Sequence, residues 1–371
     1  MFLKTLQLKQ YRNFTEIEFS TDRSVNLFIG PNAQGKTNLL ESIFVLALTK
    51  SHRTQNDKEL IAWDQDQAFL YGEVNKKYGP VKLQLQISRQ GKKAKINGLE
   101  QKKLSSFVGA VNVVLFAPED LEIVKGSPGI RRRFLDMEIG QIHPAYLHEM
   151  GQYQRILNQR NNYLKQLAGS GQANGMLDIW NEQLAAYGVK IMNKRQNFLK
   201  KLQVWAEQIH FGITGGTEQL EIVYHPSLPM DEAEDEPTLF QRFMVKLTEI
   251  KEQELRRGAT LIGPHRDDMG FKINGKEANV YGSQGQQRTT ALSVKLAELE
   301  LMREEVGEYP ILLLDDVLSE LDHQRQTQLI NTFQDKVQTF ITATGIDSFN
   351  LGLIRDVGVY QVQSGTIVSR L

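Results

Sequence analysis

The 371-residue chain has no cysteine, which excludes disulfides, thiolate catalysis and Cys-ligated zinc or iron–sulfur centres and fits a reducing cytosol. It has no excess of either charge: Lys plus Arg is 44 and Asp plus Glu is 44. Bulk positive charge therefore holds no nucleic acid here, and any DNA site has to be a local patch. No apolar run is long enough to span a bilayer, and MFLKTLQLKQYRNF alternates apolar and polar residues where a signal peptide carries an apolar core. A soluble intracellular protein with no membrane partner is expected. What is present is an ordinary globular composition, 40% hydrophobic and 24% charged, in a length that exceeds one ordinary core. One large domain with an insertion, or two domains, follows.

The pattern changes period along the chain. Leu3, Leu6 and Leu8 precede the polar turn Arg12-Asn13, and Val25 to Ile29 reads as a short buried strand. That strand runs into GPNAQGKT and then into TNLLESIFVLALTK, apolar enough to be a helix buried on most faces. Between Leu70 and Val114, short alternating segments with turns at Tyr78-Gly79-Pro80 and Asn97-Gly98 read as an antiparallel sheet. From Gln141 the spacing is helical. Tyr146, Met150, Tyr153, Leu157, Leu164 and Leu167 form one stripe, and Trp180, Leu184, Tyr187, Ile191, Phe198, Leu202 and Trp205 another, separated by AGSGQANG. An antiparallel helical hairpin or small bundle with a packed aromatic core is the simplest object. The acidic MDEAEDEP reads as a solvated loop. Helical sequence then reaches Gly258, GPHRDD leads into β-type sequence, a helix starts near Gly285, and strands follow from Pro310 to the C-terminus.

The segment Gly30-Pro31-Asn32-Ala33-Gln34-Gly35-Lys36-Thr37 satisfies the phosphate-loop pattern between a strand and a helix. Backbone N–H groups of such a loop close around phosphates, and the helix N-terminus adds partial positive charge. Lys36 reaches the β and γ phosphates, Thr37 ligates Mg2+, and Asn38 completes the cradle for ATP. The partner element should be an apolar strand ending in an acid. ILLLDD supplies it: Asp315 on the magnesium side and Asp316 one residue on, where a base positions the attacking water. Ser283-Gln284-Gly285-Gln286-Gln287-Arg288 opens a further helix and makes a second phosphate cradle. One nucleotide needs one cradle, so the spare points to a nucleotide held by a partner subunit. Ser319-Glu320-Leu321-Asp322 follows the aspartates as a plausible helix cap.

GPNAQGKTNLLE, GSPGIRRRFLD, GPHRDD, YGSQGQQRTTALSVK and LLLDDVLSELD, in this order and over essentially the whole chain, resemble the RecF family of bacterial recombination proteins. That family is similar to the heads of SMC-type and other ABC-type ATPases, in which two heads sandwich two ATP molecules. The resemblance implies an α/β fold, with an ABC-type P-loop ATPase head of mixed sheets over 1–125 and 255–371 and an inserted helical arm or lid over 126–254. It implies that Ser283, Gly285 and Gln286 act in trans on the γ phosphate, that Ser319 to Asp322 crosses the interface, and that Arg12 lies near bound nucleotide. Asp316 stands where such heads usually carry glutamate, which implies slow hydrolysis, and Thr344 stands where a histidine is usual. The insertion is too short for a long coiled coil.

The family further implies an ATP-dependent homodimer acting on single-strand gaps or single-strand/duplex junctions. It implies a slow DNA-stimulated ATPase that helps load RecA with RecO and RecR, supports replication and the SOS response, and sits in the cytoplasm with the nucleoid. An ATPase coupled to a nuclease, a transporter subunit and a small-molecule kinase are the rival readings. A neutral chain must gather cations to meet DNA. Lys92, Lys93, Lys95, Lys102 and Lys103 bracket the Asn97-Gly98 turn, Arg131, Arg132 and Arg133 open the helical region, and Arg155, Arg160, Lys190, Lys194, Arg195, Lys200 and Lys201 follow. Solvated surface is the alternative for each cluster. His265 and Arg266 are either ligand contacts or part of a structural turn.

Overall fold

The computed structural model describes residues 1–170, 175–231, 234–318, 323–345 and 355–370. The chain divides into two compact units, one of Met1–Leu121, Trp205–Glu218 and Arg288–Leu371, the other of Glu122–Val204 and Gln219–Gln287.

The first unit holds two six-stranded sheets. One is antiparallel, in the order Phe14–Ser20, Phe2–Tyr11, Gln67–Lys76, Gly79–Ser88, Gly91–Ile96, Leu99–Glu100. Its alternating burial matches the alternating sequence, and its last hairpin turns on Asn97 (φ 50°) and Gly98 (φ 81°), the pair of positive φ values that a two-residue hairpin loop requires. The other sheet runs Thr366–Arg370, Val357–Gln363, Val25–Ile29, Thr339–Ala343, Ile311–Asp315, Val113–Phe116 and is parallel except for its first hairpin. VNLFI, ILLLD and TFITA are buried at every position, as strands covered on both faces must be. The helix Lys36–Leu48 packs on strands of both sheets. Contact on two sides explains why it is apolar nearly all round.

The second unit combines the helices Pro128–Ile142, Pro144–Ser170, Glu236–Glu249 and Lys251–Arg257, and most of Met176–Ile213, with a three-stranded antiparallel sheet, Lys276–Glu277, Asp268–Ile273, Leu220–His225. Tyr146, Tyr153, Leu157, Leu164, Leu184, Ile191, Phe198 and Leu202 are all buried, so the helical stripe is core. At the end of the acidic segment Asp235 caps Glu236–Glu249 by accepting from the Thr238 amide at 2.9 Å. Among the described residues, no helix is long and apolar enough to cross a membrane.

The division falls elsewhere than the expected insertion at 126–254. Residues 255–287 belong with the second unit because Asp268–Ile273 pairs with Leu220–His225 and Asp268 takes a two-pronged ion pair from Arg131, both oxygens at 2.7 Å. Conversely, Trp205–Glu218 belongs with the first, where His210 Nδ1 meets Ser293 Oγ at 3.1 Å and Trp205 Nε1 donates to Glu304 at 3.0 Å.

GPHRDD is an organising turn of the second unit. The buried Asp267 accepts from the Ser227 amide at 2.7 Å and from the Tyr224 hydroxyl, and Pro264 O accepts from Arg195 at 2.6 Å. His265 Nδ1 lies 2.7 Å from the Tyr153 hydroxyl and its Nε2 3.2 Å from Thr260 O. Burial pushes the His265 imidazole down to about 4. Between that value and the ordinary 6.5 the unfolded chain binds the extra proton, so stability rises with pH and is lost as pH falls from 6.5 toward 4. Urea unfolding at pH 7 and pH 5 should show this loss, about 2 kcal/mol from His265 over that interval. His265→Gln, which takes no proton, should flatten the profile by that share and leave the share of His52, whose value burial also lowers to about 4.

Candidate phosphate-binding site

The parallel sheet ends its strands at one edge, and the groups around the loop are assembled there from segments far apart in sequence. Gly30 leaves Val25–Ile29 at φ 152°, where an added Cβ would stand 2.4 Å from Val362 O; Gly35, at φ 112°, has Asn13 Nδ2 2.6 Å from its own Cβ position. Both places need glycine for space as well as conformation. The loop opens the helix at Lys36, whose buried ammonium donates to Gly30 O at 2.7 Å and Pro31 O at 2.8 Å. Burial lowers the Lys36 pKa, with Asp316 and Asp315 pulling the other way.

Asp315 ends the strand Ile311–Asp315, and its Oδ1 accepts from Thr37 Oγ1 at 3.0 Å and from Thr342 Oγ1 at 2.7 Å. Burial raises its pKa, and the two hydroxyls oppose the rise. Thr342 Oγ1 also accepts from the Asp316 amide at 3.0 Å. Asp316 itself takes a left-handed φ of 53°, tolerable for aspartate, which turns the chain out of the strand. A threonine hydroxyl and a carboxylate within 3.0 Å are hard oxygen donors of the kind Mg2+ takes. An ammonium held over a ring of loop backbone at a helix N-terminus suits phosphate oxygens. The residues therefore fit a magnesium–nucleoside triphosphate.

The loop is braced from outside. Glu41, fully buried in the helix, accepts from Arg12 Nε at 2.8 Å, Arg12 NH2 at 2.6 Å, Ser51 Oγ at 2.6 Å and Tyr11 OH at 3.2 Å. Burial pushes the Glu41 carboxyl up, but the Arg12 and Ser51 hydrogen bonds outweigh it and hold the pKa below its ordinary value. Arg12, with its NH1 on Glu59 O at 2.9 Å, is thus committed to the helix while lining the space beside the loop. Asn38 receives Arg53 at 2.8 Å and donates to Asn13 at 2.8 Å, and Asn13 donates to Gln34 O at 3.2 Å. Gln34 is pinned again from the far end of the chain, by the Ser364 amide at 2.7 Å and the Gly365 amide at 3.0 Å.

Pro31, Asn32 and Ala33 form the arc of the loop, with Ala33 left-handed at φ 65°. Ser283, Gly285 and Gln286 lie in the second unit. There the Ser283 Oγ accepts from the Gln286 amide at 3.2 Å and Gln286 Oε1 from the Ser283 amide at 2.9 Å, a reciprocal cap on the helix Gln284–Val306. Thr344 is exposed just past Thr339–Ala343; Ser319, Glu320, Leu321 and Asp322 lie outside the described residues. Sequence reading missed Glu41, Thr342, Asn13 and Arg53.

Four of the cations grouped with DNA are enclosed and engaged, a correction to the patch reading. Lys92, 6% exposed, donates to Thr49 O at 2.5 Å and pairs with Asp57, because strand alternation turns it to the face opposite Lys93 and Lys95. Arg131 belongs to Asp268, Arg160 to Glu254 and Asn181, and Arg195 to Asp136. Arg132 donates to Asp267 O at 2.7 Å from a half-buried position, while Lys93, Lys95 and Arg133 are exposed.

Comparison with known proteins follows the same lines. The family model described as RecF/RecN/SMC N terminal domain matches residues 2–368. The DNA replication and repair protein RecF of Bacillus cytotoxicus is 54% identical over 367 residues, covering 99% of this chain and 98% of its own. That of Bacillus thuringiensis is 54% identical over 368 residues, with the same coverage. Among solved structures, the recombination mediator protein RecF with ATP in the RecFOR pathway superposes with a TM-score of 0.92 at 35% identity, covering 100% of this chain and 97% of that one. The SMC head domain of Pyrococcus furiosus, at 13% identity and a TM-score of 0.56 over 100% and 96% of the two chains, shares the fold: an α/β ABC-type head with added helices.

Thr342 gives the site a test independent of any ligand. Thr342→Val strips one donor from buried Asp315 and the acceptor from the Asp316 amide, and should lower unfolding stability in urea by about 1–3 kcal/mol. Thr342→Ser, which restores the hydroxyl, should recover most of it.

Proposed function

The chain belongs to the RecF family of SMC/RecF-type ATPases, and from that premise we propose that it binds Mg-ATP in the loop Gly30–Asn38 and uses it to close two copies on DNA. The observation that carries the reading is the convergence of Lys36, Thr37 and Asp315 at the edge of the parallel sheet. On binding, the Lys36 ammonium exchanges the carbonyls of Gly30 and Pro31 for phosphate oxygens. Thr37 and Asp315, already in contact, hold the magnesium ion. The metal supplies charge neutralisation and orientation of the β and γ phosphates. Asp316 receives the proton of the attacking water. Its side chain is one methylene shorter than glutamate, which favours slow turnover, so hydrolysis serves as a timer for opening.

Ser283, Gly285 and Gln286 of each copy face the γ phosphate of the other. The cap between Ser283 and Gln286 supports this reading, because it orders the backbone at an exposed helix start, where N–H groups meet anions. Closure gathers exposed cations, Lys93, Lys95 and Arg133 among them, into a phosphate-binding surface that is salt-sensitive and blind to base sequence. The substrate structure is a single-strand gap or a single-strand/duplex junction, in the cytoplasm at the nucleoid. The partners are RecO and RecR, and through them RecA, in replication, repair and the SOS response. The relatives support this reading: the RecF of Bacillus cytotoxicus is a DNA replication and repair protein, and a solved RecF belongs to the RecFOR pathway.

Sedimentation with Mg-ATP and gapped duplex DNA tests the clamp. The parent chain should form a nucleotide-dependent dimer on DNA, whereas Ser283→Arg should bind ATP normally and remain monomeric. Lys36→Met should lose ATP affinity by at least about tenfold, as expected for one charge-assisted contact to phosphate. Asp316→Asn should accumulate the closed dimer, and hydrolysis at the parent rate in that variant would place the base elsewhere.

A further inference from the structure

The strands Val357–Gln363 and Thr366–Arg370 are joined by a turn of two residues, Ser364 at φ 46° and Gly365 at φ 73°, both left-handed as a loop of that length requires. The turn geometry fixes where its two amides point, and both point at one residue of the phosphate loop. The Ser364 amide donates to Gln34 Oε1 at 2.7 Å and the Gly365 amide to Gln34 O at 3.0 Å. A third donor, Asn13 Nδ2, reaches the same Gln34 O at 3.2 Å. The fit is close: a Cβ added at Gly365 would stand 2.4 Å from Asn13 O. The hairpin is itself anchored at both ends of its first strand. Gln361 is in register with Ile29, the last residue before the loop, and Asp356 accepts from Arg23 NH1 at 2.8 Å and from the Ser24 amide at 2.8 Å.

Gln34 sits in the arc of the loop, between Ala33 at φ 65° and Gly35 at φ 112°. Left-handed backbone on both sides is a shape that a free segment would not keep. Ordering a loop at the moment of binding weakens the affinity of whatever orders it, and a loop already in shape avoids that loss. The fastening also leaves the binding groups alone. It uses the carbonyl and the side-chain oxygen of Gln34, both acceptors, and consumes none of the N–H groups with which a loop grips phosphate.

We infer that Gln34 is a positioning residue for the phosphate loop and that the Ser364-Gly365 turn holds it, so that the C-terminal hairpin sets the shape of the loop before any phosphate arrives. The inference rests on the nucleotide reading above and adds the part of the chain that prepares the loop. Gln34 acts through the loop backbone, so its effect falls on the phosphate end of the ligand and is the same whether or not a nucleoside is attached.

Calorimetry on the full chain with Mg-ATP and with inorganic tripolyphosphate tests this, using Gln34→Met, which keeps the length of the side chain and removes its oxygen. Both ligands should weaken by the same factor, about tenfold, as expected for one lost hydrogen bond. Steady-state hydrolysis should show a raised KM and an unchanged kcat, because the loss is one of uniform binding. Hydrogen exchange at the Ser364 amide should quicken. Gly365→Ala, which drives the turn off Asn13, should weaken both ligands as well, and the double variant should be no weaker than the worse single one if the two act through one contact. Parent-like affinity for both ligands in Gln34→Met, with only a loss of stability in urea, would make the fastening a brace and overturn the inference. ATP weakened with tripolyphosphate unaffected would overturn it too, since the effect would then lie away from the loop, and additive losses in the double variant would remove the hairpin from it. A parent chain that binds neither ligand would overturn the nucleotide reading, and the inference with it.

Discussion

The parallel ladder of Val25–Ile29, Thr339–Ala343 and Ile311–Asp315 is the constraint on which the rest depends. Parallel strands all end on the same edge, and the register Ile29 to Ala343 and Asp315 to Thr342 decides which residues share it. The phosphate loop leaves from one strand, its carboxylate from the next but one, and the hydroxyl that ties the carboxylate from the strand between. A shift of one residue between Thr339–Ala343 and Ile311–Asp315 would turn Thr342 to the opposite face and separate it from Asp315, and a shift against Val25–Ile29 would carry both away from the loop. Burial of every position in these strands makes such a slip costly, so the core enforces the site geometry.

The two units buy order differently. In the first, apolar strands and an enclosed helix carry the packing, and one buried carboxylate, Glu41, joins helix to strand through Arg12. In the second, arginines enter the core: Arg160 and Arg195 are both 1% exposed and meet Glu254, Asn181, Thr260, Asp136 and Tyr146. Removing one partner of such a pair strands a charge, typically at 3–5 kcal/mol, so these contacts specify their geometry more than they add net stability.

The glycine loop, the apolar strand before Asp315 and the helical stripes were legible because each is a local pattern, readable within a dozen residues. The exposed and buried lysines of Lys92 to Lys95 were separable in principle by strand alternation. The reciprocal cap of Ser283 and Gln286 is a legible S-x-x-Q pattern as well. What was hidden depends on partners distant in sequence. Arg131 looks like its neighbours Arg132 and Arg133 until Asp268 is placed beside it, 137 residues on. Thr342 is one of many threonines until strand register sets it against Asp315. The division of the chain was misplaced for the same reason: 255–287 follows its strand partner at Leu220–His225, and nothing local to either segment announces the pairing.

Val25–Ile29 lies between Thr339–Ala343 and Val357–Gln363, and Gln34 is fastened to Ser364, 330 residues away. At ribosomal speeds that interval is roughly 15–65 s, during which the central strand has neither neighbour. A nascent or truncated chain thus carries the complete loop motif without the scaffold that shapes it. The loop's final shape therefore waits on the last hairpin, however early its own residues are made.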